Sequence, residues 1–346
     1  MMRVGIIGVT GYTGSELLRL LFTHGKVDVT YVTSHSFVGK TVADVHPHYQ
    51  RLLELPCRPF SVEEALEKTE LVFCALPHGE SMEVVPQLHE AGLKVIDLSA
   101  DFRLEEAALY QRWYKKEHKA PGYLRKAVYG LPELYREKVK GASLVANPGC
   151  YPTSVILALA PLATKGLVDW DTLVVDAKSG TSGAGRLPSP TLHFPECAEN
   201  FRAYKVAEHQ HTPEMEQELG RLAKRKVSFT FVPHLLPMIR GILSTIYTRL
   251  TDKITEEEIR EIYQEFYRRE SFVRLLPPHL TAETRNVYGS NYCDLSLKWD
   301  ARQKRLIILS ALDNLVKGAA GQAVQNMNLM LGFEEEQGLK AIPLRP

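Results

Sequence analysis

A cysteine near the middle of the chain, Cys150, lies at the junction of two apolar segments. Residues 143–146 before it have the pattern of a short buried strand, and residues 154–162 after it have that of a buried helix. Residues 147–153 between them read NPGCYPT, in which proline and glycine suit a tight turn into a helix. Free N–H groups and the dipole at a helix N-terminus favour a thiolate. Cys150 is therefore a candidate nucleophile, and a cysteine that merely packs as a small apolar residue is the alternative.

A second segment that could bind a ligand lies near the N-terminus. There, glycines spaced three residues apart follow an apolar strand and precede an amphipathic helix. This order is that of the first unit of a dinucleotide-binding domain. Gly8 would permit the turn, Gly11 would let the backbone approach a pyrophosphate, and Gly14 would allow close packing of helix on strand. The predicted cofactor-binding residues of this turn are Gly8, Thr10, Gly11, Tyr12, Thr13 and Gly14. The spacing is G-x-x-G-x-x-G rather than G-x-G-x-x-G, so an ordinary glycine-rich turn remains the alternative.

The end of the second predicted strand, residues 27–33, indicates which cofactor is bound. NAD-binding units usually carry an acidic residue there, which holds the ribose hydroxyls. Here the strand is followed by Ser34, His35 and Ser36, with Lys40 close behind. Without a carboxylate to repel a 2′-phosphate, and with hydroxyl and cationic donors to bind it, this segment favours NADP(H). The alternative is an ordinary polar loop.

Two segments of the second half carry further polar side chains. Residues 176–186 leave a predicted strand into a glycine- and hydroxyl-rich loop that includes Ser182 and Gly183. Loops of this kind can bind phosphate or carboxylate through N–H and hydroxyl donors, or can simply be mobile surface loops.

The other segment contains His209 and His211, just before a predicted helix that Thr212 could cap with Pro213 in the first turn. Either histidine could accept the proton of Cys150 and later move protons to oxygen. Two histidines at this spacing could also bind a metal, but no other clustered ligands complete such a site, so we predict no metal. Polar residues at an ordinary helix start are the remaining alternative.

Composition limits the classes of partner. The 346 residues are 45% hydrophobic and 24% charged, and 42 basic residues nearly balance 41 acidic ones. We therefore expect a small-molecule substrate, with neither nucleic acid nor membrane as a partner. The five cysteines include no C-x-x-C pair, and the N-terminus enters a strand without a signal-peptide pattern. These features predict a cytoplasmic protein without a zinc site or disulfide framework.

The order of the predicted elements indicates an α/β protein of two domains. Strands and helices alternate up to residue 148, which is typical of a Rossmann-type, doubly wound parallel sheet. The second domain, 149–312, has an α+β pattern and predicts a catalytic domain with a mixed, largely antiparallel sheet. A long helix pattern over 313–331 predicts that the C-terminal segment, 313–346, returns to complete the NADP-binding domain 1–148. The strands expected in the second domain span 173–177, 227–232, 241–250, 293–299 and 305–311, and its helices span 214–223 and 256–269.

Taken together, these segments resemble one family, the N-acetyl-gamma-glutamyl-phosphate reductases of arginine biosynthesis. That family is related to aspartate-semialdehyde and glyceraldehyde-phosphate dehydrogenases. The resemblance extends over essentially the whole chain, and its most specific parts are NPGCYPT at 147–153 and DNLVKGA at 313–319. Other segments that carry it are 8–14, SADFR at 99–103, YGLPE at 129–133, 178–186 and H-x-H-x-P-E at 209–214.

The resemblance implies a reductive dephosphorylation through a thioester on Cys150, with NADPH as hydride donor and His209 as the base. It also implies that Arg103 lies near the substrate phosphate and that Asn314 lies near the nicotinamide. Further predicted substrate-binding residues are Asn147, Ser182, Gly183 and His211. Members often have Gly-His-Arg-His where this chain has EHQH at 208–211, so a role of that arginine in substrate binding does not carry over.

The resemblance also bears on the substrate. A sister branch that reduces a protein-bound aminoadipyl phosphate carries a His-His-Pro-Glu-Arg loop where this chain has HFPECAEN at 193–200. That difference favours N-acetylglutamyl phosphate over the aminoadipyl substrate of that branch, and the same chemistry on an aspartyl or aminoadipyl phosphate is the alternative. A cofactor-free cysteine hydrolase and a non-catalytic NADP-binding regulator are the alternatives from other classes. We expect a homo-oligomer, either a dimer or a tetramer.

Overall fold

The computed structural model describes residues 1–344 and divides into two units. Unit 1 comprises Met1–Pro148 and Ala319–Lys340, and unit 2 comprises Gly149–Gly318 with residues 341–344. The last two residues of the predicted C-terminal segment 313–346 lie outside the described residues. The division between Pro148 and Gly149 falls one residue before the candidate nucleophile. None of the helices within residues 1–344 is both long and apolar enough to span a bilayer.

Unit 1 alternates strands and helices along the chain. Its elements before the boundary are β1 Met2–Ile7, α1 Tyr12–Phe22, β2 Val27–Thr33, α2 Val42–Val45, α3 Val62–Lys68, β3 Leu71–Cys74, α4 Ser81–Glu90, β4 Lys94–Asp97, α5 Ala107–Tyr114, β5 Val128–Tyr129, α6 Pro132–Lys140 and β6 Leu144–Ala146. Short 3-10 turns at Pro47–Tyr49 and Pro121–Tyr123 complete it.

The six strands of unit 1 form a parallel sheet in the order β2-β1-β3-β4-β6-β5. The central strands are buried on both faces; all residues of β3, for example, are buried. Such continuous apolar strands are typical of a parallel sheet with both faces covered. The strand order reverses beside β1, and ligands of doubly wound sheets bind at the carboxyl edge there. The predicted Rossmann-type domain is confirmed.

Unit 2 begins with a long buried helix and continues with a mixed sheet. Its helices are α7 Cys150–Thr164, α8 Phe194–Cys197, α9 Thr212–Ala223 and α10 Glu256–Tyr267. Its strands are β7 Val174–Ser179, β8 Arg202–Ala203, β9 Thr230–Leu235, β10 Ile242–Thr248, β11 Val273–Leu275, β12 Cys293–Asp300 and β13 Arg305–Leu312.

The seven strands of unit 2 follow the order β11-β12-β13-β10-β7-β9-β8. Only the pairs β11–β12 and β7–β9 are parallel, so the sheet is mixed and largely antiparallel, as predicted. Along β10, buried and half-buried residues alternate, so that one sheet face is covered, and α7 packs against β10 and β13.

The segment after β13 is helical over residues 316–330 without a break, so the helix predicted for 313–331 begins three residues later than expected. A π-helical turn, Val316–Ala320, precedes α11, Gly321–Met330. The Asp313 carboxylate accepts the N–H groups of Leu315 (2.8 Å) and Val316 (3.2 Å), as the side chain of a helix N-cap does. Residues 313–318 belong to unit 2, and α11 belongs to unit 1.

Candidate active site

The glycine-rich turn of unit 1 brings the start of α1 close to the ends of β1 and β3. Gly8 has φ +87°, and a Cβ at this residue would lie 2.5 Å from the carbonyl oxygen of Ala75. A Cβ at Gly14 would lie 2.4 Å from the carbonyl oxygen of Gly8. At Gly11, by contrast, the space around a Cβ is open except for one atom at 3.7 Å. Gly8 and Gly14 are therefore required because a side chain would collide with the backbone. Gly11 leaves open space beside the start of the helix.

The N-terminus of α1 has the features of an anion site. Gly11 is its N-cap, in an extended conformation, and no side chain caps the helix. The N–H groups of the first turn, which includes Tyr12, Thr13 and Gly14, have no carbonyl partners inside the helix. The positive end of the helix dipole points the same way. The donor set and the open space at Gly11 fit a pyrophosphate group.

The end of β2 lies beside this turn. The N–H groups of Gly8 and Val9 donate to the carbonyl of Thr33 at 3.2 and 3.1 Å. The hydroxyls of Thr10 and Ser34 lie 3.0 Å apart. Ser34 is buried, whereas His35 and Ser36, the next two residues, are exposed. The structure therefore places the predicted cofactor residues of both segments together at one edge of the sheet.

Arg58 is a residue of this edge that sequence reasoning missed. It pairs in parallel with Thr33, and its carbonyl accepts the N–H of Ser34 at 3.1 Å. Its guanidinium is half-exposed and lies 3.1 Å from the carboxylate of Glu64. A strand pairing across so many residues leaves no local signal, so the sequence could not reveal this cation.

Arg103 and Asn147 are joined within unit 1, but chiefly through bonds that hold the fold. Arg103 donates from Nε to the carbonyl of Asn147 (2.7 Å) and from Nη2 to that of Leu98 (2.9 Å). The Asn147 side chain donates to the carbonyl of Ala319 and accepts from Asn326, both at 3.0 Å. These contacts give both residues a structural role, and their predicted contacts with substrate stay predictions.

A buried acidic pair fixes the segment that carries Arg103. Asp101 accepts the N–H of Gly79 at 2.8 Å and the hydroxyl of Tyr110 at 2.7 Å. Asp97 accepts the hydroxyl of Ser99 at 2.7 Å. Burial, and secondarily the nearby charge of Asp101, raises the pKa of Asp97 to about 7. The segment is thus held by buried polar bonds, which favours a single conformation.

Cys150 is the first residue of α7, as the sequence predicts. Its N-cap, Gly149, has no side chain to cap the helix, and its N–H donates to the buried carboxylate of Glu214 at 2.8 Å. Cys150 itself is half-buried. Gly318 lies directly against it, since a Cβ at residue 318 would be 2.8 Å from the Cys150 Cβ. The thiol therefore lies at a helix N-terminus that no side chain caps. Glu214 holds the residue before it, and Gly318 packs against it.

His209 is buried among aromatic rings, and its hydrogen bonds determine which ring nitrogen carries the proton. The rings of Tyr151, Tyr204 and Phe231 each lie about 5.5 Å or less from its own. Its Nδ1 accepts the backbone N–H of His211 at 3.1 Å, and its Nε2 lies 3.4 Å from the Tyr204 hydroxyl. Because Nδ1 is an acceptor, a neutral ring must carry its proton on Nε2. His209 was predicted to accept a proton from Cys150 and to donate one to oxygen. A proton on Nε2 favours donation to oxygen.

His211 lies beside His209, with ring centroids 4.8 Å apart. It is the N-cap of α9, but its side chain makes no capping bond. The prediction that Thr212 caps this helix is wrong. The helix begins at Thr212, two residues before the expected 214, and within the described residues the buried Thr212 hydroxyl has no hydrogen-bond partner.

The loop after β7 is held by Asn314. The Asn314 side chain accepts the N–H of Gly241 at 2.7 Å and donates to the Ser182 hydroxyl at 2.9 Å. A Cβ at Gly183 would lie 3.7 Å from the same Asn314 nitrogen, and one at Gly180 would collide with the backbone of Ile239. The structure thus brings Ser182, Gly183 and Asn314 together within unit 2.

The Cys150 thiol lies within electrostatic range of the aromatic residues around His209. Burial is the main cause that raises the pKa of Tyr204 to about 12, and the charge of Cys150 contributes. Burial likewise raises the pKa of Tyr151, with a smaller contribution from Cys150. Both phenols therefore keep their protons near neutral pH. Within residues 1–344 no three histidine, cysteine, aspartate or glutamate side chains are grouped so as to hold a metal.

Comparison with known proteins identifies both halves of the chain. Residues 3–142 match a family model described as semialdehyde dehydrogenase, NAD binding domain. Residues 150–314 match one described as semialdehyde dehydrogenase, dimerisation domain. A curated relative from Desulforamulus reducens, named N-acetyl-gamma-glutamyl-phosphate reductase, is 52% identical over 346 residues and covers 100% of both chains. One of the same name from Pelotomaculum thermopropionicum is 50% identical and covers 100% of this chain and 99% of its own.

Solved structures share the fold at low identity. Aspartate semialdehyde dehydrogenase II of Vibrio cholerae, complexed with ASA, superposes with a TM-score of 0.72 at 18% identity, covering 96% of this chain and 98% of that one. The Candida albicans aspartate semialdehyde dehydrogenase with NADP gives 0.67 at 15% identity, covering 96% and 98%. These similarities confirm the predicted fold class.

Proposed function

Because the chain belongs to the semialdehyde dehydrogenase family, and within it to the N-acetyl-gamma-glutamyl-phosphate reductases, we propose that it reduces N-acetylglutamyl 5-phosphate to the 5-semialdehyde in arginine biosynthesis. NADP(H) is the cofactor. The observation that carries the proposal is the position of Cys150 as first residue of α7, at a helix N-terminus that no side chain caps. There the free N–H groups and the positive end of the helix dipole favour the thiolate.

In this proposal the Cys150 thiolate attacks the acyl carbon of the acyl phosphate. The C–S bond forms, the C–O bond to phosphate breaks, and a thioester remains on the enzyme. The departing phosphate takes up one proton. The backbone N–H of Cys150 and the Nε2–H of His209 are the donors we assign to the oxygen of the tetrahedral adducts. When the last adduct collapses, the C–S bond breaks and the semialdehyde leaves, which regenerates the thiolate.

NADPH supplies a hydride for the thioester carbon when it is bound. We assign its pyrophosphate to the N-terminus of α1, where Gly11 leaves space for a phosphate group. We assign its 2′-phosphate to the end of β2, where Ser36 and His35 are exposed and Arg58 adds a guanidinium. Asn314 stays the predicted neighbour of the nicotinamide.

The test is an assay with three acyl phosphates. NADPH, enzyme and N-acetylglutamyl phosphate should give NADPH oxidation and phosphate release in equal amounts. Aspartyl and aminoadipyl phosphates, assayed in parallel, should react far more slowly. Phosphate release without NADPH oxidation would indicate the hydrolase instead, and no reaction with any of the three would indicate the non-catalytic regulator.

We predict that NADPH binds about tenfold more tightly than NADH or better, a difference of about 1.4 kcal/mol. The reason is the absence of a carboxylate at residues 33–36 and the presence of donors there. Titration calorimetry measures both affinities. Ser36→Asp should reduce the difference between the NADPH and NADH affinities, because a carboxylate would repel the 2′-phosphate. Ser189→Asp, in an exposed segment of unit 2, should leave that difference unchanged. Equal affinities for the two cofactors in the native protein would refute this assignment of the β2 end.

We further propose a cytoplasmic homodimer formed through unit 2. Half-buried residues alternate along β10 and β7 on the sheet face opposite α7, and apolar side chains such as Leu243 and Tyr247 lie on that face. The family model that covers these strands is described as a dimerisation domain, which supports the assignment. Sedimentation analysis should show a dimer or a tetramer, and a monomer at micromolar concentration would contradict it.

A further inference from the structure

A row of three polar groups extends from His209 into unit 2. The Nε2 of His209 lies 3.4 Å from the Tyr204 hydroxyl, which donates to the Tyr151 hydroxyl at 3.3 Å. Tyr151 in turn donates to the carbonyl of His234 at 3.2 Å. A carbonyl can only accept, so the direction of every bond follows from this end. The Tyr204 oxygen therefore accepts the Nε2–H of His209.

The hydrogen bond at Nδ1, the other ring nitrogen of His209, is consistent with Nε2 acting as a donor. The backbone N–H of His211 donates to Nδ1 at 3.1 Å, so Nδ1 is an acceptor. A neutral ring held in this way has one tautomer, with its proton on Nε2 and directed at Tyr204. The two contacts together fix both the tautomer and the orientation of His209.

The backbone that carries Tyr204 is held in an uncommon conformation. Lys205 and Ala207 have φ values of +45° and +58°, which residues other than glycine rarely adopt. Hydrogen bonds to β9 keep the segment in place, since the N–H of Tyr204 donates to the carbonyl of Pro233 at 3.0 Å. Backbone strain of this kind often accompanies functional positioning. The phenol also keeps its proton near neutral pH, because burial raises the pKa of Tyr204 to about 12.

We propose that Tyr204 is a positioning residue for the reduction: before substrate binds, its hydroxyl accepts the Nε2–H of His209 and fixes the ring, and during the reaction the reacting oxygen replaces that hydroxyl as the acceptor. This inference rests on the proposed function only for the role of His209. Without the hydroxyl, the ring would lose a contact that fixes its orientation, and its Nε2–H would point toward the reacting oxygen less often. If the hydroxyl acts only through His209, KM should change little while kcat falls.

The experiment compares Tyr204→Phe with a matched control, Tyr263→Phe. Tyr263 is also a buried tyrosine of unit 2, and its hydroxyl donates to the carbonyl of Ala158 at 2.6 Å, in the packing of α10 on α7. We expect Tyr204→Phe to lower kcat about tenfold and to leave KM within about twofold. Tyr263→Phe should reduce thermal stability but leave kcat unchanged. A normal kcat in Tyr204→Phe would overturn the proposal.

A double-mutant cycle distinguishes positioning from a merely structural role. If Tyr204 acts through His209, adding Tyr204→Phe to His209→Asn should cause no further loss of kcat. Independent, multiplicative losses would overturn the proposal.

Nitrogen-15 NMR of the native protein tests the geometry without activity and without any variant. The native His209 side chain should show a protonated Nε2 and a bare Nδ1 near neutral pH. A native ring protonated on Nδ1 would overturn the proposal even if Tyr204→Phe failed to fold. Because this readout does not involve substrate, failure of the proposed reaction and failure of the positioning role are distinguishable.

Discussion

Cys150→Ser should fold normally, bind NADPH and lose nearly all reductase activity. Sulfur and oxygen are similar in size, and residue 150 is half-buried at a helix start where a hydroxyl is tolerated. A serine hydroxyl stays protonated near neutral pH, however, and an ester accepts a hydride less readily than a thioester. Loss of this covalent route raises the barrier by several kcal/mol, and each 1.36 kcal/mol is about tenfold in rate. Steady-state kinetics with NADPH and N-acetylglutamyl phosphate measures the loss.

The matched control for this variant is Cys293→Ser. Cys293 is a fully buried cysteine of the same unit, at the start of β12, with its sulfur 3.5 Å from the Ser310 hydroxyl. That neighbour can pair with a new hydroxyl, so we expect the control to keep its activity. Substantial activity in Cys150→Ser, or an equal loss in both variants, would mean that the Cys150 thiolate is not the nucleophile.

The second large effect concerns the two histidines before α9. His209→Asn should lower kcat on the order of a hundredfold or more, because a donor at the reacting oxygen is lost. His211→Asn should have a much smaller effect, since His211 reaches His209 through its backbone N–H, which the substitution retains. Parallel measurements of kcat and KM for both variants provide the comparison.

Two controls make that comparison specific. Both variant proteins should bind NADPH normally, because the glycine-rich turn and the end of β2 belong to unit 1. Their thermal unfolding should also resemble that of the native protein. If His211→Asn proved the more damaging of the two, the donor would be misassigned.

Local patterns were sufficient to predict much of this fold. The expected strand 27–33 coincides with β2, and Cys150, expected at or near a helix N-terminus, is the first residue of α7. In both cases the signal is an apolar run next to proline, glycine or polar residues, which the chain carries within about ten residues. The same kind of signal placed Gly8 and Gly14 where the structure requires glycine.

Contacts between distant residues could not be predicted in this way. Glu214 accepts the N–H of Gly149, and Gly318 packs against Cys150. The Tyr204 hydroxyl donates a hydrogen bond to that of Tyr151. Each pair is brought together by the packing of separate elements, and no spacing along the chain records it. The predicted cap at Thr212 is wrong, and the last helix begins three residues after Asp313, because side-chain and backbone bonds of the folded protein determine where a helix begins.

The most direct test of the central claim is the mass of the enzyme after reaction without a hydride donor. Native protein is mixed with N-acetylglutamyl phosphate in the absence of NADPH, quenched in acid and digested for mass spectrometry. We predict a mass increase equal to one N-acetylglutamyl group on the peptide that contains Cys150, and its disappearance when NADPH is added before the quench. An adduct on any other residue, or turnover without an adduct on Cys150, would contradict the thioester mechanism.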